Sequence, residues 1–80
     1  MGKLPTLTGY EMFKFVAKLG FEHTSAKSTG SHFRLRHLDG RVVTIPVRKG
    51  KELKKEDFSS ILRALEMGRN DFLAKYLEIM

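Results

Sequence analysis

Two alternating runs, residues 31–37 and 41–47, flank the tripeptide Leu38-Asp39-Gly40, and they constrain the fold more than anything else in the chain. Successive side chains of a strand point to opposite faces, so the pairing register decides what is buried. A two-residue Asp-Gly turn pairs Leu38 with Arg41. It then sets Arg34 opposite Ile45 and Arg36 opposite Val43, mixing charge with core on both faces. A three-residue loop pairs His37 with Arg41, Leu35 with Val43 and Phe33 with Ile45. One face then holds Phe33, Leu35, Val43, Ile45 and Val47. The other holds His32, Arg34, Arg36, Val42, Thr44 and Pro46. Register follows the face that must leave water, so the second pairing is expected, with Gly40 in the left-handed region as a type I turn plus bulge. Pro46 cannot donate to a ladder, which places the end of its strand, or a sheet edge, there.

An apolar sheet face needs a cover, and the flanking segments supply it. Residues 7–20 read as an amphipathic helix. Thr8 is the N-cap, Glu11 stands at the capping-box spacing, and Leu7 and Met12 occupy the staple positions. The expected apolar face is Met12, Phe13, Val16, Ala17 and Leu19, and Gly20 closes the helix in a left-handed conformation. Gly9 in the first turn costs about 1 kcal/mol against alanine. It marks either a close backbone approach or a late helix start. Phe21 to Ser25 read as a first strand and residues 26–29 as a loop. A basic loop, 48–55, precedes a helix from about Lys55 to Glu66 that buries Phe58, Ile61, Leu62 and Leu65 and is broken at Gly68. Asn70 is the expected N-cap of a short last helix, Asp71 to about Leu77, burying Phe72, Leu73 and Tyr76. The order α-β-β-β-α plus a short C-terminal helix predicts an α+β fold. Its three-stranded antiparallel sheet has helices on one face and the His32 face open to solvent.

Residues 1–80 form one small domain in this reading, and a core of that size leaves a margin of only about 3–5 kcal/mol. With no cysteine, neither a disulfide framework nor a thiolate zinc site is available. The three histidines show no metal-ligand spacing, and no cofactor is expected. No apolar run approaches the roughly 18 residues of a membrane span. The N-terminus lacks a signal-peptide core, so a cytoplasmic protein is expected. Net charge is +6, and it is concentrated. Residues 27–55 hold nine basic and two acidic side chains, or +7, and the remainder six basic and seven acidic, or −1. That footprint suggests a polyanion partner.

The open face carries what little chemistry the chain shows. Histidine is the side chain suited to proton transfer near neutral pH, and His32 shares its face with Arg34 and Arg36. Such a face suits a phosphodiester. Arginines and the lysines of 48–55 hold phosphates without reading sequence. On RNA, His32 suits deprotonating a 2′-hydroxyl or protonating a leaving 5′-oxygen, with Arg34, Arg36 or Lys49 offsetting transition-state charge. His37, at the turn end of its strand, and His23, on a face with Phe21, read as packed or rim residues. A non-catalytic RNA- or DNA-binding module and a protein-binding domain are the alternatives from these residues.

Several blocks stand in an order that resembles one family. They are Leu7-Thr8-Gly9-Tyr10-Glu11, Leu19-Gly20-Phe21-Glu22, Gly30-Ser31-His32, His37 through Pro46, Gly50-Lys51-Glu52-Leu53-Lys54 and Ser60-Ile61-Leu62-Arg63. Over about residues 5–77 the chain is similar to HicA-type toxins (YcfA-like proteins). The resemblance implies a double-stranded-RNA-binding-domain-like fold and an mRNA interferase of a type II toxin–antitoxin system. It implies metal-free catalysis by the histidine of Gly-Ser-His, here His32, and a cognate HicB-type antitoxin that covers the active face. The RNA contacts expected on this reading are Ser31, Arg34, Arg36, Arg48, Lys49 and Lys51. Three departures are visible, one being the lack of the usual arginine or glutamine before the motif. The stretch before Gly30 is about two residues longer than the family pattern, and Phe33 stands where many relatives carry a second histidine. Alternation puts Phe33 on the apolar face, away from His32.

Overall fold

In the computed structural model, the structure describes residues 5–24, 32–47 and 50–80. Its elements are α1 (Gly9–Lys18), β1 (Glu22–His23), β2 (His32–Arg36), β3 (Val42–Pro46), α2 (Lys55–Leu65) and α3 (Arg69–Ile79). The strands form one antiparallel sheet in the order β1-β2-β3. The hairpin has the expected register, with His32 opposite Pro46, Phe33 opposite Ile45 and Leu35 opposite Val43. His37 N–H donates to the Arg41 carbonyl at 2.9 Å, and Gly40 N–H to that of His37 at 2.9 Å. Gly40 has φ +100°, a conformation a side chain resists. β3 ends at Pro46, and β1 extends its pairing through Thr24, whose N–H reaches the Arg34 carbonyl. Ser25 and the 26–29 loop lie outside the described residues.

Both ends of α1 are closed by local sequence. Glu11 N–H donates to Thr8 Oγ1 at 3.1 Å, and Thr8 N–H to Glu11 Oε1 at 2.9 Å, completing the capping box. At the other end Gly20 N–H reaches Ala17 and Phe21 N–H reaches Val16, a Schellman closure. The helix does start at Gly9, and the glycine is there for a close approach. A Cβ at Gly9 would run into the Pro46 carbonyl oxygen and lie 2.9 Å from Val47 Cα.

α1 and α2 cover the inner face of the sheet, and α3 packs against α1. Leu35, Val43 and Ile45 from the sheet meet Met12 and Val16 of α1 and Phe58, Ile61, Leu62 and Leu65 of α2 in one cluster. Two expectations need correction. The face of α1 includes Phe15, fully buried, whereas Ala17 is exposed. Phe15 packs edge-on against Phe72 at 4.9 Å and tilts over Tyr76 at 5.7 Å, so α1 is buried on two sides, by the sheet and by α3. The last helix is not short. α3 spans 11 residues, as many as α2, and its N-cap is Gly68 rather than Asn70. The physical reason lies one turn earlier. Glu66, at φ 58°, closes α2 in the left-handed region. Gly68 is thereby free to cap α3, its carbonyl accepting from Phe72 N–H at 2.9 Å. Of the expected α3 core residues only Phe72 is fully buried, with Leu73 and Tyr76 half-buried.

Candidate functional site

With the helices on one side, the outer face of the sheet is left to solvent. His32, Arg34 and Arg36 all project there and are exposed, spaced about 6.5 Å apart along the strand at two residues each. Across the ladder they face Pro46, Thr44 and Val42, and Arg36 also faces Glu22 on β1. Between the two arginines lies a hollow of about 380 Å³ lined by Thr24, Arg34, Arg36, Gly40 and Val42. Thr24 fixes its wall, since its N–H and hydroxyl both donate to the Arg34 carbonyl, at 3.0 and 3.2 Å.

Of the remaining expected contacts, Ser31, Arg48 and Lys49 lie outside the described residues. Lys51 is exposed. A chain of backbone contacts ties its segment to the His32 end of the sheet. Glu52 bridges to Thr8, and Leu53 N–H donates to the Leu7 carbonyl at 2.8 Å. Gly9 next door abuts Pro46, the partner of His32.

The other histidines have packing roles. His23 sets its ring edge against Phe13 and Phe33, with centroids 5.6 and 5.2 Å away. His37 lies against Phe21 at 5.0 Å, and its Nδ1 accepts from Asp39 N–H at 3.1 Å. Among the described residues no group of three or more His, Cys, Asp or Glu side chains converges as a metal site would require.

Arg41 is the residue that composition misplaces. It counts toward the basic segment, yet it serves the fold. Its Nη1 donates to the Leu65 carbonyl at the end of α2, at 2.6 Å, where a cation also suits the helix dipole. Its Nε pairs with Asp39 at 2.8 Å, and its guanidinium sits 5.2 Å from the Phe21 ring centroid. The signal for this was its place directly after a Gly bulge, with Asp39 two residues back. The Arg41 backbone N–H, donated to Asp39 Oδ1, is the main cause that holds the Asp39 carboxyl below its usual range; desolvation opposes it, and the Arg41 side chain and His37 add smaller lowering effects.

No described helix is long and apolar enough to cross a membrane. A family model described as "HicA toxin of bacterial toxin-antitoxin" matches residues 9–67. No curated protein matches the chain.

Proposed function

The chain belongs to the HicA toxin family of bacterial toxin–antitoxin systems, which gives it a cognate antitoxin, and from that premise we propose that it is a metal-independent endoribonuclease acting on mRNA in the cytoplasm through His32. The observation that carries the proposal is the placement of His32, Arg34 and Arg36 on the sheet face that no described helix covers.

The reaction needs little more than such a face. The ribose 2′-oxygen attacks the adjacent phosphorus, and the bond to the 5′-oxygen breaks. The products are a 2′,3′-cyclic phosphate and a 5′-hydroxyl. One proton leaves the 2′-oxygen and one reaches the 5′-oxygen. His32 takes the first or supplies the second, and water completes the pair. Arg34, one same-face position along the strand, offsets the charge that builds on the phosphoryl oxygens. Ser31, Arg36, Arg48, Lys49 and Lys51 hold the flanking backbone, and affinity from such contacts falls as salt rises. A HicB-type antitoxin silences the toxin by covering this face.

The test is cleavage of single-stranded mRNA in EDTA by wild type and by His32→Ala. Wild type is expected to cut and the variant to be inactive. Equal cleavage by both removes His32 from the mechanism. Salt-sensitive RNA binding without any product would identify a non-catalytic RNA-binding module instead.

A further inference from the structure

We propose that the hollow beside β1 is a nucleobase subsite selective for guanine, with Glu22 as the specificity-determining residue; this rests on the reading of the open face as an RNA site. The hollow encloses about 310 Å³ between the turn after α1, the edge strand β1 and the tip of the β2–β3 hairpin. That volume lies at the lower end for small-ligand sites. It adjoins the hollow between Arg34 and Arg36, the two sharing Thr24 and Arg36 in their walls. A strand of RNA on the arginines therefore has a pocket at its side.

The lining has the parts a base requires. Glu22 is an acid set on a cationic face, where it opposes phosphate binding. It stands directly across from Arg36, yet no ion pair joins the two among the described residues. Its two carboxylate oxygens remain available as acceptors. His37 borders the same hollow, with its ring turned against Phe21 at 5.0 Å and its Nδ1 held at Asp39. Leu38, 96% exposed at the hairpin tip, provides apolar surface for a base face.

Guanine matches this set. Its Watson–Crick edge offers one acceptor, O6, followed by two adjacent donors, N1–H and N2–H. The two donors suit the two oxygens of Glu22. Adenine and cytosine present one amino donor beside a ring nitrogen whose lone pair a carboxylate repels. Uracil presents a single donor between two carbonyls. A two-bond contact of this kind discriminates by about tenfold or more.

The experiment uses the His32→Ala protein, which keeps RNA intact, and fluorescein-labelled oligouridine carrying one guanine, inosine or adenine. Anisotropy titrations are expected to give about tenfold tighter binding for guanine than for adenine. Inosine, lacking the N2 amine, falls between them. Adding Glu22→Gln is expected to shrink the guanine preference below about threefold without weakening binding to the adenine oligonucleotide. A preference unchanged by Glu22→Gln, or none to begin with, overturns the subsite. Mapping the ends cut by the wild-type protein separates the two readings. Cleavage indifferent to guanine overturns the subsite and leaves the nuclease. Guanine-selective binding with no cleavage overturns the nuclease and supports the subsite. Failure to bind any oligonucleotide overturns both.

Discussion

Replacing Gly9 by alanine sets two physical effects against each other, and the structure decides the sign. Helix propensity alone favours the change by about 1 kcal/mol at an interior position. The unfolded chain also has less entropy to lose with alanine. Against this, the new methyl meets backbone rather than the far end of a side chain. It would lie 2.9 Å from Val47 Cα and 3.0 Å from the Pro46 carbonyl carbon, and would overlap the Pro46 oxygen. Restoring ordinary contact at 3.4 Å from the Pro46 oxygen needs the two backbones to part by more than an ångström. Neither yields easily. The Thr8–Glu11 capping box fixes one, and the ladder to His32 and Phe33 fixes the other. Overpacking of this kind costs about 1–3 kcal/mol, and a rigid contact belongs at the upper end. The expected net result is a loss of about 1–2 kcal/mol, or a fall in Tm of roughly 4–8 °C for each kcal/mol. Urea unfolding followed by far-ultraviolet circular dichroism reads it directly, as a lower midpoint at unchanged slope. Ala17→Gly, exposed on the same helix, calibrates the propensity scale and should lose about 1 kcal/mol. A Gly9→Ala protein more stable than wild type would refute the close-approach argument.

Three further outcomes follow from the same geometry. Arg41→Met strips the Leu65 carbonyl of its charged donor and should lower stability by about 1.5–3 kcal/mol in urea unfolding, with Arg41→Lys recovering only part because one ammonium cannot reproduce the guanidinium fork. The Asp39 carboxyl is held below its usual range in the folded protein, so its contribution is present above the unfolded carboxylate pKa and is lost as pH falls through the folded one. Asp39→Asn should therefore be less stable than wild type at pH 7, and the gap should close below about pH 4 in a pH series of melts. Arg34→Ala and Arg36→Ala should each weaken RNA binding and lower the slope of log affinity against log salt by about one, measured by anisotropy; unchanged slopes would remove that arginine from the phosphate contacts.

Much of the hairpin was legible because its two faces differ so sharply. Only one register puts Phe33, Leu35, Val43 and Ile45 together, and burial enforces it. The same logic placed His32, Arg34 and Arg36 on one outer surface. The ends of α1 were legible through Thr8, Glu11 and Gly20, whose roles are local. What escaped depends on contacts distant in sequence. Phe15 lies beside the expected stripe of α1, and it is buried only because α3 arrives from the other side. The start of α3 was misplaced because Asn70 is the better cap by residue type, whereas the left-handed turn at Glu66 had already oriented Gly68 for the task. Arg41 was simply one of the nine basic side chains of the 27–55 segment. Its bond to Leu65 spans 24 positions, and no local pattern announces it.

The third helix also changes what counts as a complete unit. The family match stops at residue 67, two positions before α3 begins. Yet Phe72, wholly buried, touches both Phe15 and Phe58, at 4.9 and 5.2 Å between ring centroids. An aromatic side chain removes about 150–250 Å² from water when it packs, so a polypeptide halted at residue 67 would present two uncovered rings. The portion shared with relatives is thus closed by a portion outside the match. During synthesis the ribosome makes the toxin's sheet and its outer-face arginines first. The residues that seal the aromatic seam behind them come later, so completion of the core waits on the translation of α3.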